Sequence, residues 1–311
     1  MATRAERGPV GIPGSRLGQA RARDRRRAHP ARPVRRGTGR PITMEKRIMQ
    51  SAVERAIAEM WDRYNEPLSL SELADAAILS RFHFSRIFRS YTGTSPCRFL
   101  AAVRLSKAKD ILLESSRNVT DIAYEVGYNS LGTFTSRFTK SVGVSPARYR
   151  QLSRIGIPAP LAAPVPGADG AVRGLLTMPR SAMGTPLRVY VGAFDSPIAQ
   201  GMPAACDVLD APGMYRLPGI PDGQWYIRGA AVALSGVDPR PWVRKPLFVG
   251  AADPVRVRHG VVEVDLGLHP VGPLDLPVLV ALPELDGGVL PQPAAAVPER
   301  LTVEAMASPF R

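Results

Sequence analysis

The chain has 311 residues, a net charge of +14 at neutral pH, 45% hydrophobic residues and two cysteines, Cys97 and Cys206. That length predicts two or three domains. With four His, no CxxC and no Cys/His cluster, neither a disulfide framework nor a zinc site is expected, and no other metal or cofactor is. No apolar run is long enough to cross a bilayer as a helix and the N-terminus lacks a signal-peptide core, so a cytoplasmic protein with no membrane partner is expected.

The charge is uneven. Residues 1–43 hold 12 Arg against one Glu and one Asp, residues 44–154 are net +6, and residues 155–311 are net −2. Only the first two sections are suited to a polyanion. Residues 1–43 are rich in Arg, Gly, Pro and Ala and too poor in large apolar residues to offset the entropy of ordering. Two readings stand for them: a disordered basic arm lying on a polyanion, or an extension upstream of a start at Met44.

Helical patterning runs from Met44 to about Leu152. A first helix near Glu45–Tyr64 sets Ile48, Val53, Ile57, Met60 and Trp61 close to one face. Ser69 and Glu72 form a capping-box pattern for a short helix, and Asn118 with Asp121 repeats that start. A second short helix follows each, near Arg81–Tyr91 and Leu131–Val142. Between the copies, Ser95 as N-cap and Pro96 as first helical residue open a long helix to about Glu114.

The repetition is specific. Gly93-Thr94-Ser95-Pro96 returns as Gly143-Val144-Ser145-Pro146, and Ser80, Phe84 and Phe88 return as Ser130, Phe134 and Phe138. Further back the offset falls from 50 to 49, so the second copy carries one extra residue near Asn129. Each copy reads as a helix-turn-helix whose second helix presents its N-terminal half to a major groove. A connecting helix of about 18 residues is about 27 Å long, which suits two recognition helices about 34 Å apart, one turn of DNA.

These residues resemble the AraC/XylS family of transcriptional regulators. The resemblance covers about residues 46–152 and rests on Ile122-Ala123, Gly127-Tyr128, Phe134/Phe138 and the closing Gly143-Val144-Ser145-Pro146-Ala147-Arg148-Tyr149-Arg150. It implies a double helix-turn-helix that binds duplex DNA, with RNA polymerase as a further candidate partner. Carried over by position, base contacts would fall on Arg81, Phe82, Ser85 and Arg86, and in the second copy on Leu131, Gly132, Thr135 and Ser136. An Arg such as Arg86 can contact guanine O6 and N7 in bidentate fashion. Phosphate contacts would fall on Arg89, Arg137, Lys140, Arg148 and Arg150, the last three being equally readable as a solvated face. The second copy departs from the family pattern: Ser136 stands where an Arg is common, and Arg137 is one residue, about 100°, further round the helix.

Residues 155–184 read as a Pro/Ala/Gly linker. From Leu187 the pattern changes to strands over Leu187–Val191, Gln224–Leu234, Val255–Val257, Val261–Leu266 and Val278–Leu282. The expected architecture is therefore multidomain: an all-α double helix-turn-helix domain at 44–154, an all-β sandwich at 185–290 that folds independently, and a loose tail at 291–311. Gly213–Tyr226 resembles the turn-and-strand signature of transthyretin-like, carboxypeptidase-regulatory sandwiches. The β region is read as non-catalytic, sensing a small-molecule effector or contacting a protein. Two alternatives have the helical domain serve as a DNA tether. One is an enzyme, as in DNA-repair methyltransferases with a reactive Cys; the other is an interaction module. Neither Cys97 nor Cys206 has the neighbours that would activate a thiolate.

Overall fold

The computed structural model describes residues 44–155, 169–182, 184–234 and 243–285. The basic segment 1–43, the centre of the expected linker and the expected tail lie outside the described residues. Seven helices come first: α1 (Met44–Asp62), α2 (Leu70–Ala76), α3 (Arg81–Thr92), α4 (Pro96–Glu114), α5 (Val119–Glu125), α6 (Leu131–Val142) and α7 (Pro146–Ile155). The starts of α2 to α7 are each fixed by a side-chain cap that satisfies an otherwise orphan amide. Ser69 accepts from the Glu72 amide while the Glu72 carboxylate accepts from the Ser69 amide. Asn118 accepts from the Asp121 amide at 2.7 Å. Ser80, Ser95 and Ser130 cap α3, α4 and α6. Both α3 and α6 end at a left-handed glycine, Gly93 and Gly143.

The helices build two neighbouring cores. In the first, Val53, Ile57, Met60, Leu73, Phe84, Phe88, Phe99 and Val103 are fully or almost fully buried. In the second, Ala108, Leu112, Ile122, Phe134, Phe138 and Tyr149 are. Edge-to-face ring pairs link Phe84 to Phe88, Phe88 to Phe99 and Phe138 to Tyr149. One expected core residue is corrected. Ile48 is 54% exposed, because the buried stripe of α1 runs through Ala52, Val53, Ala56, Ile57 and Met60 instead.

The turn inside each repeat holds a left-handed residue at the same place, ahead of the extra residue at Asn129. In the first copy Ile78 takes φ 60°, and in the second Gly127 takes φ 82° at the equivalent place. The left-handed region is natural for glycine and strained for a β-branched residue. Gly127 also has no room for a side chain: a Cβ there would lie 2.9 Å from the Asn65 carbonyl oxygen.

The remaining elements are strands: β1 (Gly170–Thr177), β2 (Leu187–Phe194), β3 (Ala205–Leu209), β4 (Gly213–Ile220), β5 (Gly223–Ala233), β6 (Pro246–Ala251), β7 (Val255–Val257), β8 (Gly260–Glu263), β9 (Leu266–Gly267) and β10 (His269–Pro270). They form two sheets. One runs β4-β1-β8, with β9 also on β1; the other runs β10-β6-β5-β2-β3, with β7 also on β5. Most pairings are antiparallel, but β1 runs parallel to β8 and β9. Val172 and Leu217 of the first sheet and Val189, Val191, Ile227 and Ala231 of the second share one buried cluster.

Three strand expectations change. The linker assigned to 155–184 is too long at its end, since Gly170–Thr177 is β1; its Gly-Ala start hides a buried alternation through Val172, Gly174 and Leu176. β2 is buried on both faces, with Val189, Val191 and Ala193 in the shared cluster and Tyr190 and Phe194 in another on the opposite side. Val278–Leu282 is not a strand. It is an extended strap that ends in a 3₁₀ turn at Leu282–Leu285.

That strap packs into the helices. Leu279 and Ala281, with Ile198 from the β2–β3 connection, belong to the second helical core, and Leu274 and Leu276 pack against the first. The Ala281 amide donates to the Val142 carbonyl at 3.1 Å. The second helical core is thus completed by residues far along the chain, and the described residues lie in one compact unit.

Candidate nucleic-acid interface

Neither α3 nor α6 contains an acidic residue. On α3, Phe82, Ser85, Arg86 and Arg89 follow the i, i+3, i+4, i+7 spacing of one helix face, opposite the buried Phe84 and Phe88. Arg81, Phe82, Arg86 and Arg89 are exposed and Ser85 is half-buried. Phe82 is 84% exposed, which removes it from the core and leaves it on the candidate contact face.

On α6 the equivalent face is shallower and less charged. Leu131, Gly132, Thr135, Ser136, Thr139 and Lys140 line one open concavity. Arg137 is absent from it and lies on the flank of the helix, where its charge acts on the Tyr128 hydroxyl. The rotation inferred from sequence is thus seen in the placement of the side chain. Lys140 is exposed. Arg148 is exposed and bonds Gln151 at 3.2 Å. Arg150 is half-buried, and its guanidinium donates to the Leu112 carbonyl at 3.3 Å and the Arg117 carbonyl at 2.6 Å, tying α7 to the end of α4 and the turn after it. Arg104 does the same for the first copy, donating to the Tyr64 and Glu66 carbonyls at 2.7 and 2.6 Å.

The positions of α3 and α6 are set from behind by groups that carry no sequence signal. The 19-residue helix α4 joins the two copies and is about 28 Å long. In the C-terminal half of α4, Lys109 donates to the carbonyls of Val278, Leu279 and Val280 at 3.2, 3.0 and 3.4 Å. All three ammonium protons are therefore used on the strap. Burial pushes Lys109 down to about 8, with Asp110 acting in the opposite sense.

A second brace is the β2–β3 connection. The Gly201 amide donates to the Ser141 carbonyl at 2.6 Å, and Met202 sits against Gly143 at the end of α6. Pro197 sits against Gly93 at the end of α3. Arg228 of β5 holds that proline in place, donating to its carbonyl at 2.7 Å. One connection therefore touches the C-terminal caps of both candidate recognition helices.

The arrangement is that of a helix-turn-helix domain, and residues 73–152 match the family described as "Helix-turn-helix domain". Over these residues the chain is similar to the helix-turn-helix domains of AraC-type regulators. An uncharacterized HTH-type transcriptional regulator of Haemophilus influenzae is 43% identical over 82 residues, 26% of this chain and 28% of that protein. The bifunctional transcriptional activator/DNA repair enzyme AdaA of Bacillus subtilis is 34% identical over 100 residues, 32% of this chain and 47% of that protein. The right origin-binding protein of Escherichia coli is 37% identical over 100 residues, 31% of this chain and 35% of that protein. The chain thus spans less than half the length of each of these relatives. Among solved structures, the DNA-binding domain of AdpA in complex with a target DNA is 31% identical; the match covers 33% of this chain and 94% of that one, with a TM-score of 0.33.

Proposed function

We propose that this chain is a sequence-specific, DNA-binding transcriptional regulator that reads two successive major-groove segments, one with α3 and one with α6. The observation that carries this is the pair of exposed, acid-free helix faces mounted on one continuous helix. Arg81, Phe82, Ser85 and Arg86 read bases in the first segment; Leu131, Gly132, Thr135 and Ser136 do so in the second. Arg89, Lys140 and Arg148 contact phosphates, and Arg137 does so from the flank of α6. Base contacts specify and phosphate contacts position, so the first segment carries most of the discrimination.

The two β sheets are read as the layers of a β-sandwich that is not catalytic. Docked on α4 and on the caps of α3 and α6, it acts as a brace for the two readers and as the seat of an effector or protein contact. Site selection from random duplexes with the full chain, followed by a gel shift against competitor DNA, tests the function. The expected result is a motif of two blocks; binding blind to sequence would refute it.

A further inference from the structure

One flank of α6 faces a cavity instead of the contact face. Arg137 and Lys140 border a space of about 710 Å³ that is also walled by the start of α4, by Tyr128 and by the β2–β3 connection. Arg98 of α4 enters the same space, so three cations converge there against one carboxylate, Asp195. None of the three cations forms a salt bridge among the described residues. Tyr128 is only 7% exposed, and its buried hydroxyl lies beside the Arg137 guanidinium without a hydrogen bond of good geometry. Ser141 and Gln200, bonded to each other at 3.3 Å, complete the polar wall.

Cations lining one cavity repel one another, and with a single carboxylate against three of them a bound anion lowers that cost. Two arginines and a lysine suit an oxyanion group, the arginines through paired donors and the lysine as a point charge. The volume is that of a small-molecule site and exceeds what a single inorganic ion fills. We infer that this cavity binds a small organic polyanion, of the class of phosphorylated metabolites, held by Arg98, Arg137, Lys140 and the Tyr128 hydroxyl. The consequence for DNA rests on the proposed function. Lys140 borders both this cavity and the contact face of α6, so an anion in the cavity competes with a DNA phosphate and weakens DNA binding.

The test uses the full chain with inorganic pyrophosphate as probe, at constant ionic strength. Pyrophosphate at millimolar concentration is expected to raise the melting temperature, and Arg98→Gln to raise the concentration needed for the same shift at least tenfold. Tyr128→Phe, which keeps the ring against Phe134, is expected to do likewise and serves should the first variant fail to fold. Saturating pyrophosphate is expected to weaken DNA binding several-fold in the parent and not in Arg98→Gln. Equal stabilisation of parent and both variants, or none in the parent, overturns the site. So does a loss of DNA affinity in Arg98→Gln without any pyrophosphate stabilisation, which assigns the cavity to the DNA backbone. Stabilisation that depends on Arg98 in a chain that binds no DNA keeps the anion site and refutes the proposed function instead.

Discussion

Leu279→Ala tests whether the strap is part of the helical core. Leu279 has no exposed surface and packs in the cluster that contains Phe134, Phe138 and Tyr149, more than a hundred residues earlier in the chain. Truncating a leucine in such a place removes its transfer energy and leaves a cavity, together about 2–5 kcal/mol. Against a typical total of about 5–15 kcal/mol, that is a large fraction of the stability. Leu247→Ala is the control: Leu247 is 46% exposed, and a surface truncation of this kind costs within about 0.5 kcal/mol. Urea unfolding would be followed in single-tryptophan variants that keep either Trp61 in α1 or Trp225 in β5. The braced arrangement predicts coincident transitions in the parent and a shift of both by Leu279→Ala. A Trp61 transition that moves by less than 0.5 kcal/mol, or that occurs apart from that of Trp225, would show two independent domains and refute the brace.

Arg86→Ala is expected to cost about 1–3 kcal/mol at the preferred site and to relax choice at one base position, while Arg89→Ala weakens all sequences alike and lowers the salt slope by about one. Titrations at several salt concentrations separate the two. A base-by-base scan of the selected site should show weaker preferences under α6 than under α3, because Ser136 stands where a guanine-reading Arg could. Ile78→Gly should stabilise the fold by about 1 kcal/mol by relieving the left-handed strain, measured by chemical denaturation. For Lys109 the folded pKa of about 8 lies below the ordinary lysine value of about 10.4, so the unfolded chain binds more protons between those limits. Its contribution to stability therefore rises as pH increases from 8 towards 10, and Lys109→Met should flatten that part of the pH–stability curve.

The helical half was legible because local chemistry fixes it. Ser69, Ser95 and Asn118 cap where their side chains can reach an amide two or three residues on, and the Phe84/Phe88 and Phe134/Phe138 pairs bury at helical spacing. Duplication made the candidate contact faces legible too, since Arg86 and Ser136 could be placed by comparing copies. The strap was not legible. Val278–Leu282 carries the composition of a buried strand, and only the distant Lys109 and the second helical core turn it into an extended brace. The bonds from Arg150 to the Leu112 and Arg117 carbonyls were not legible for a related reason, since both acceptors lie more than thirty residues earlier in the chain. β1 was hidden by its Gly-Ala start beside a Pro-rich stretch, and its parallel partners β8 and β9 lie some ninety residues away. Contacts made across such separations leave no periodicity to read.

The most direct test of two readers on one chain is a hydroxyl-radical footprint of the full protein on its selected site, with and without Arg86→Ala. Two protected blocks are predicted, their centres about 10 base pairs apart along one face of the duplex, with Arg86→Ala altering base preference in one block alone. A single protected block, or a change spread evenly over both, would contradict the account.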